Sequence, residues 1–226
     1  MSQTSLNLVA IAIFTLTLST LLSPILDISP FFPATATFGL LGLATVDRFA
    51  WGGQGGNLFV DYFAQWSEEH RQRVLHHEAG HFLVAYLLGI PVTGYALTAW
   101  EARQQGSQAA GGVRFDDQQI QAQIEEGVVS SDMVERYCQV WMAGGAAEQL
   151  AFGDVEGGID DVAKVRGLLN ELKYSPQMLE QKERWAAFQA RQILERNREA
   201  YEALKSAMAE RKNVEGCVAA IVEAPT

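Results

Sequence analysis

The sequence predicts a mainly α-helical chain with a small β element, an α+β fold, behind an apolar N-terminal part. Three observations carry this. Apolar residues recur at helical spacing through most of the chain after residue 67. Only two short stretches, VTGYALT (92–98) and GGVRF (111–115), read as strands. Residues 1–26 carry no charged side chain, and after Asp27 residues 28–46 are again uncharged.

Composition narrows the function classes. The chain has 226 residues, 48% of them hydrophobic, enough for one domain and an additional segment. Its formal net charge of −10 argues against a nucleic-acid partner, which needs a basic face to neutralise phosphates. No lysine follows a glycine anywhere, so there is no phosphate-cradling loop and no expectation of ATP. Cys138 and Cys217 follow no metal or redox spacing and read as reduced thiols.

Residues 1–50 read as a membrane anchor with one or two transmembrane segments, about 6–26 and 31–46. The first is long enough to cross a hydrocarbon core of roughly 30 Å as a helix. The second is shorter and carries Pro33. Its threonines, like Thr15, Thr17 and Ser19 of the first, can bond to their own helix backbone. Ala34-Thr35-Ala36 mimics a signal-peptide cleavage site, but no basic region precedes the apolar run, and that run is too long. Arg48 follows the second segment and Arg71 and Arg73 come later, with no Lys or Arg before it. The chain beyond it is therefore expected on the cytoplasmic, or stromal, side of an integral membrane protein. Residues 51–66 read as a glycine-rich hinge. In it Phe59, Tyr62, Phe63 and Trp66 fall at helical spacing, to lie at a lipid interface or against the soluble domain.

Residues 67–226 form the soluble domain. A helix should start at Ser67, whose side chain can cap it, with Glu68 and Glu69 complementing the dipole. It should end near Leu88, where Gly89 and Pro91 stop it. The two strands follow, joined by a Gln/Gly/Ala-rich connection read as a mobile loop. A second helix is expected over 131–152, with Gly144 and Gly145 permitting close approach of another helix, and a third from Asp160-Asp161 to about Leu172. From Pro176 to about Lys212 the pattern is helical, with Leu179, Trp185, Phe188, Ile193, Tyr201, Leu204 and Met208 on one buried face.

The chemistry concentrates in HHEAGH, residues 76–81. Residues four apart share a helix face, so His77 and His81 can offer two imidazoles to one Zn²⁺. Glu78 beside them can reach a water at that metal and act as general base. Gly80 leaves room beside the metal. A carboxylate in so apolar a helix is costly to bury unless it is paired, which weighs against two histidines that merely satisfy each other in the core. The chain's four histidines are His70, His76, His77 and His81, so no downstream histidine completes the site. His76 points about 100° away from His77 on the helix. The third ligand is then a carboxylate from elsewhere, with Glu148, Asp154, Asp160 and Asp161 as candidates, or a cysteine.

HHEAGHFLVAYLLG resembles the zinc helix of the FtsH-type membrane metalloproteases. AGGAAEQLAFGDVEGGIDDVAKV resembles that family's second signature, and NVEGCVAAI its C-terminal helices. The resemblance covers about residues 70–222 and is closest to stand-alone relatives without the ATPase module. It implies a zincin-like HExxH helix in a helical peptidase domain, with Asp161 as the third zinc ligand. The loop before Asp161 is one residue shorter than in the family, which leaves Asp160 open. Gly145 stands where an arginine is usual. The implied activity is an ATP-independent, membrane-anchored zinc endopeptidase. Its metal ligands would be His77, His81 and Asp161, and its catalytic base Glu78. Its expected partners are unfolded or membrane-associated protein substrates and membrane lipid, and a homo-oligomer is compatible with it. By resemblance, the edge of GGVRF receives an extended substrate. The rival readings are a catalytically idle scaffold beside ATPase-bearing proteases, and a structural metal site.

Overall fold

The computed structural model describes residues 3–23, 25, 29, 31–50, 68–106 and 111–225. The expected hinge and aromatic cluster at 51–66, and the cap Ser67, lie outside these. The chain divides into two compact units, 1–68 and 69–226.

The first unit holds α1 (Gln3–Leu22) and α2 (Phe31–Ala50), which pack on each other. Thr17 and Thr20 donate to the carbonyls of Ile13 and Leu16, and Thr35 and Thr45 donate to those of Phe31 and Leu41. Their hydroxyls are thus satisfied within the helix, as the sequence suggested. Large apolar side chains, among them Ile11, Phe14, Phe38 and Phe49, are exposed. Among the described residues, no helix is long and apolar enough to cross a membrane.

The second unit is mainly helical with one two-stranded sheet. In order it contains α3 (Glu68–Leu87), β1 (Val92–Ala96), α4 (Ala99–Gln104), β2 (Gly112–Phe115), α5 (Gln118–Glu125) and α6 (Ser131–Phe152). There follow α7 (Ile159–Glu171), α8 (Pro176–Arg196), α9 (Arg198–Ala209) and α10 (Val214–Glu223). α3 ends as expected: Gly89 takes a φ of +73°, and the amides of Gly89 and Ile90 donate back to Tyr86 and Ala85. α6 begins at a Ser130 cap that accepts from Met133 N, and stops at Gly153 with φ +83°.

β1 and β2 pair antiparallel, Gly94 opposite Arg114 and Ala96 opposite Gly112, with an irregularity between Val92 and Gly94. Their connection holds a helix that the sequence reading missed. Thr98 caps α4 by accepting from Glu101 N, and Glu101 reaches back to accept from Leu97 N. The pairing is that of a capping box displaced by one residue, since Glu101 takes the amide before the cap and not the amide of Thr98 itself.

The stretch 176–212 is broken in two. Asn197 leaves helical geometry (φ −114°, ψ 38°) and its side chain donates to Ile193 O, so α8 ends there and α9 begins anew. The expected buried face also differs. Ala186, Ala190 and Leu194 are the buried residues of α8, whereas Trp185 and Phe188 are half-exposed and stack on each other. Tyr201, Leu204 and Met208 of α9 are buried as expected. α3 is the centre of the unit: Leu75, Ala79, Phe82, Leu83, Val84 and Ala85 all enter a core shared with β1 and helices α5 to α10.

Candidate metal centre

α3 crosses α6 at very short range because both present small residues. A β-carbon on Gly80 would lie 2.6 Å from the carbonyl oxygen of Ala143 and 2.7 Å from Ala147 Cβ. Gly80 therefore sets the helix-to-helix approach and is not spacing for a metal. The room beside the histidines comes from Gly144. A β-carbon there would collide with Nε2 of His77 and lie 2.5 Å from Nε2 of His81. Gly145 has no such duty, since its added carbon would meet only Val155, at 3.5 Å.

The crossing fixes both imidazoles. His81 Nδ1 donates to the Val140 carbonyl at 2.7 Å, and His77 Nδ1 donates to Glu148 Oε1 at 2.6 Å. A carbonyl and a carboxylate only accept, so each ring carries its proton on Nδ1 and turns an Nε2 lone pair inward. The two Nε2 atoms lie 3.0 Å apart, and Asp161 Oδ2 lies 3.1 and 3.2 Å from them. Three acceptors facing one another at that range repel unless a positive charge sits among them. A proton can serve one pair; a metal ion serves all three. Tetrahedral zinc with bonds near 2.0–2.1 Å would set its ligands roughly 3.3 Å apart. The spacing and chemistry of His77, His81 and Asp161 therefore fit a metal ion.

Asp161 arrives from the far side on the first turn of α7. Two glycines bring it there. Gly157 approaches Glu148 Oε1 so closely that a β-carbon would lie 2.7 Å away, and Gly158 takes a φ of +83°. Lys164, one turn on, donates to Asp161 Oδ1 at 2.9 Å and leaves Oδ2 facing the histidines.

Glu148 is 2% exposed, and its outer oxygens accept from the amides of Glu156 and Gly157. It orients a ligand histidine, as second-tier carboxylates do at metal sites. Burial pushes its carboxyl up, but the His77 bond and the two amides outweigh that and hold it below the usual carboxylate range. Burial likewise works against protonation of His77. The bonds to Asp161 and Glu148 and the charge of Glu78 overcome it, raising the ring to about 10, so without an ion His77 takes a second proton on Nε2 toward Asp161, the proton that a metal would displace. Asp161 is raised by burial and lowered more strongly by the two histidines and Lys164, ending far below its ordinary value.

Glu78 stands next to the triad on α3. Its Oε2 is buried and has no hydrogen-bond partner among the described residues. Burial pushes this carboxyl up, and the adjacent His81 and His77 pull it partly back. It borders a cavity of about 600 Å³ that also exposes His77, His81 and Asp161. One wall is the run Gly111 to Phe115. Strand side chains alternate between faces, so five consecutive residues lining one cavity means that the strand's edge faces it. Among the described residues, that edge of β2 pairs with no strand.

The remaining candidates fall elsewhere. Asp160 borders the cavity but is not in the triad. Asp154 pairs with Arg73 at 2.9 Å. His76 faces α9, where its Nδ1 meets the Tyr201 hydroxyl at 2.9 Å. Cys138 and Cys217 are buried free thiols. Gly144 permits close approach of another helix, as the sequence suggested, whereas Arg73 and Lys164 were not read as parts of this site. Arg73 could have been found, because it lies four residues before His77 and so on the same face as both histidines. No protein-family model matches the chain, and no curated protein is similar to it.

Proposed function

We propose that this chain is a membrane-anchored zinc endopeptidase of the FtsH type, acting without ATP on unfolded or membrane-associated proteins. The observation that carries the reading is the unpartnered Oε2 of Glu78, poised between a three-ligand metal centre and an open strand edge. His77, His81 and Asp161 would hold Zn²⁺. Bound there, zinc would supply a Lewis acid that polarises a carbonyl and acidifies water.

The chain's own groups supply the rest. Glu78 Oε2 takes a proton from the attacking water and later delivers it to the leaving amine nitrogen. The free edge of β2 receives an extended backbone main chain to main chain, which holds a scissile bond near Glu78 without demanding a particular side chain. Three ligands and an adjacent base favour a catalytic over a structural centre, since structural zinc is closed by four protein ligands. The absence of a phosphate loop from this sequence supports substrates that are already unfolded. The apolar side chains exposed on α1 and α2 support a membrane location for that unit.

The test is digestion of an unstructured protein by the detergent-purified chain without nucleotide, beside Glu78→Gln, with zinc assayed in both. Zinc in both and cleavage by the native chain alone is the expected result. Zinc in both with cleavage by neither would replace the peptidase with a scaffold.

A further inference from the structure

We propose that Arg73 is a positioning residue for the metal centre: it holds Glu148 and the loop 153–158 against α3, so that Glu148 fixes His77 for metal binding. The inference rests on the metal-centre reading above.

Arg73 is 9% exposed, a buried cation on the helix that carries both histidines. Four carboxylates surround it. Nη2 donates to Asp154 at 2.9 Å and lies 3.8 Å from Glu156 and 3.8 Å from Glu69; Nη1 lies 3.7 Å from Glu148 Oε2. Its guanidinium carbon sits 4.5 Å from the centre of the Phe152 ring, which seats the plane of the group. Asp154 and Glu156 belong to the loop whose amides at Glu156 and Gly157 bond to Glu148 and which leads into Asp161. One side chain therefore touches each element that sets the centre: α3, the C-terminal turn of α6, and the loop that delivers the third ligand.

The contact with Glu148 is electrostatic. At 3.7 Å it is too long for a hydrogen bond, and Nη1 and Nε are buried without hydrogen-bond partners. Without this cation, Glu148 and Glu156 would face each other and Asp154 with no buried counter-charge on that side. The oxygen that accepts from His77 Nδ1 would then lose its fixed place.

The experiment measures zinc affinity by chelator competition on the full chain in detergent, with unfolding of the metal-free protein followed separately. The variants are Arg73→Met, Arg73→Lys, Glu148→Gln and the Arg73→Met/Glu148→Gln double. Arg73→Met is expected to weaken zinc binding roughly 10–100-fold, the range for outer partners of metal ligands. Arg73→Lys, which keeps the charge, should recover most of that loss. In the Glu148→Gln background Arg73→Met should have little further effect, because it acts through Glu148. A purely structural role would lower metal-free stability in both backgrounds and leave zinc affinity unchanged; that result overturns the proposal. So does an equal loss of affinity with and without Glu148. Should Arg73→Met fail to fold, Arg73→Gln, which also removes the charge, takes its place: an affinity lowered relative to Arg73→Lys, with the difference vanishing in the Glu148→Gln background, upholds the electrostatic role, and native affinity overturns it. A native chain that takes up no zinc would instead remove the metal centre itself, and this role with it.

Discussion

Replacing Gly144 by alanine tests the metal centre by its shape alone. The new carbon would stand 2.5 Å from His81 Nε2 and 2.6 Å from His77 Cδ2, and closer still to His77 Nε2. Ordinary contacts are about 3.5 Å, so the rings must give way by roughly 1 Å. Metal sites tolerate displacements of about 0.2 Å in ligand distance. Both Nε2 atoms would therefore leave bonding position, and zinc affinity should fall by ~100-fold or more, about 2.7 kcal/mol. Gly145→Ala is the matched control. Its carbon meets only Val155, at 3.5 Å. It should leave zinc affinity unchanged while adding about 0.5–1 kcal/mol of helix stability. Chelator competition on the three proteins gives the affinities, and circular dichroism confirms the helix content. Native affinity in Gly144→Ala would refute the placement of the imidazoles against α6.

Three further outcomes are expected. Gly80→Ala should destabilise the chain by about 1–3 kcal/mol in urea unfolding despite alanine's better helix propensity, because its carbon meets backbone at 2.6 Å; a stabilised variant would contradict the close crossing. Asp161→Asn should abolish tight zinc binding and Asp160→Asn should not, as read by zinc content after dialysis; the reverse pattern would exchange their roles. His76 is held near 4 by burial and by the Lys205 cation, against a small opposing effect of Glu202. Its folded value lies below the unfolded 6.5, so the unfolded chain binds the extra proton. Stability is then full above pH 6.5, falls as pH drops toward 4, and levels off below. The loss is about 2–3 kcal/mol after allowing for partial exposure. His76→Gln, with metal chelated, should flatten that part of the slope, and an unchanged slope would assign it to other groups.

What the sequence reveals here follows from how local each signal is. α3 and α6 are legible because their caps and stops are written within a few residues: Gly89 and Pro91 behind α3, Ser130 and Gly153 around α6. The histidine pair of the centre is legible for the same reason, since His77, Glu78 and His81 fall within one turn and a half. α4 hid behind a Gln/Gly-rich composition, although Thr98 and Glu101 spell a capping box. Asn197 hid inside a periodic pattern, because one residue that bonds its own backbone can end a helix without disturbing the charge and apolar spacing around it. Trp185 and Phe188 misled because periodicity places residues on a face but does not say which face the core will take. The distinction between Gly80, Gly144 and Gly145 was beyond reach of spacing. It depends on where α6 crosses α3, a relation between residues more than sixty positions apart.

That separation has a consequence of its own. Asp161 lies 84 positions from His77 and 80 from His81. An ion held by all three closes a loop of that length, a cross-link that the chain-entropy formula for loops values at about 4–5 kcal/mol. The same spacing dictates timing during synthesis. Until α7 has left the ribosome, the histidines have no third ligand. A nascent chain of this sequence would carry His77 and His81 long before the third member of the cluster, and the three could meet only once α7 has joined the core.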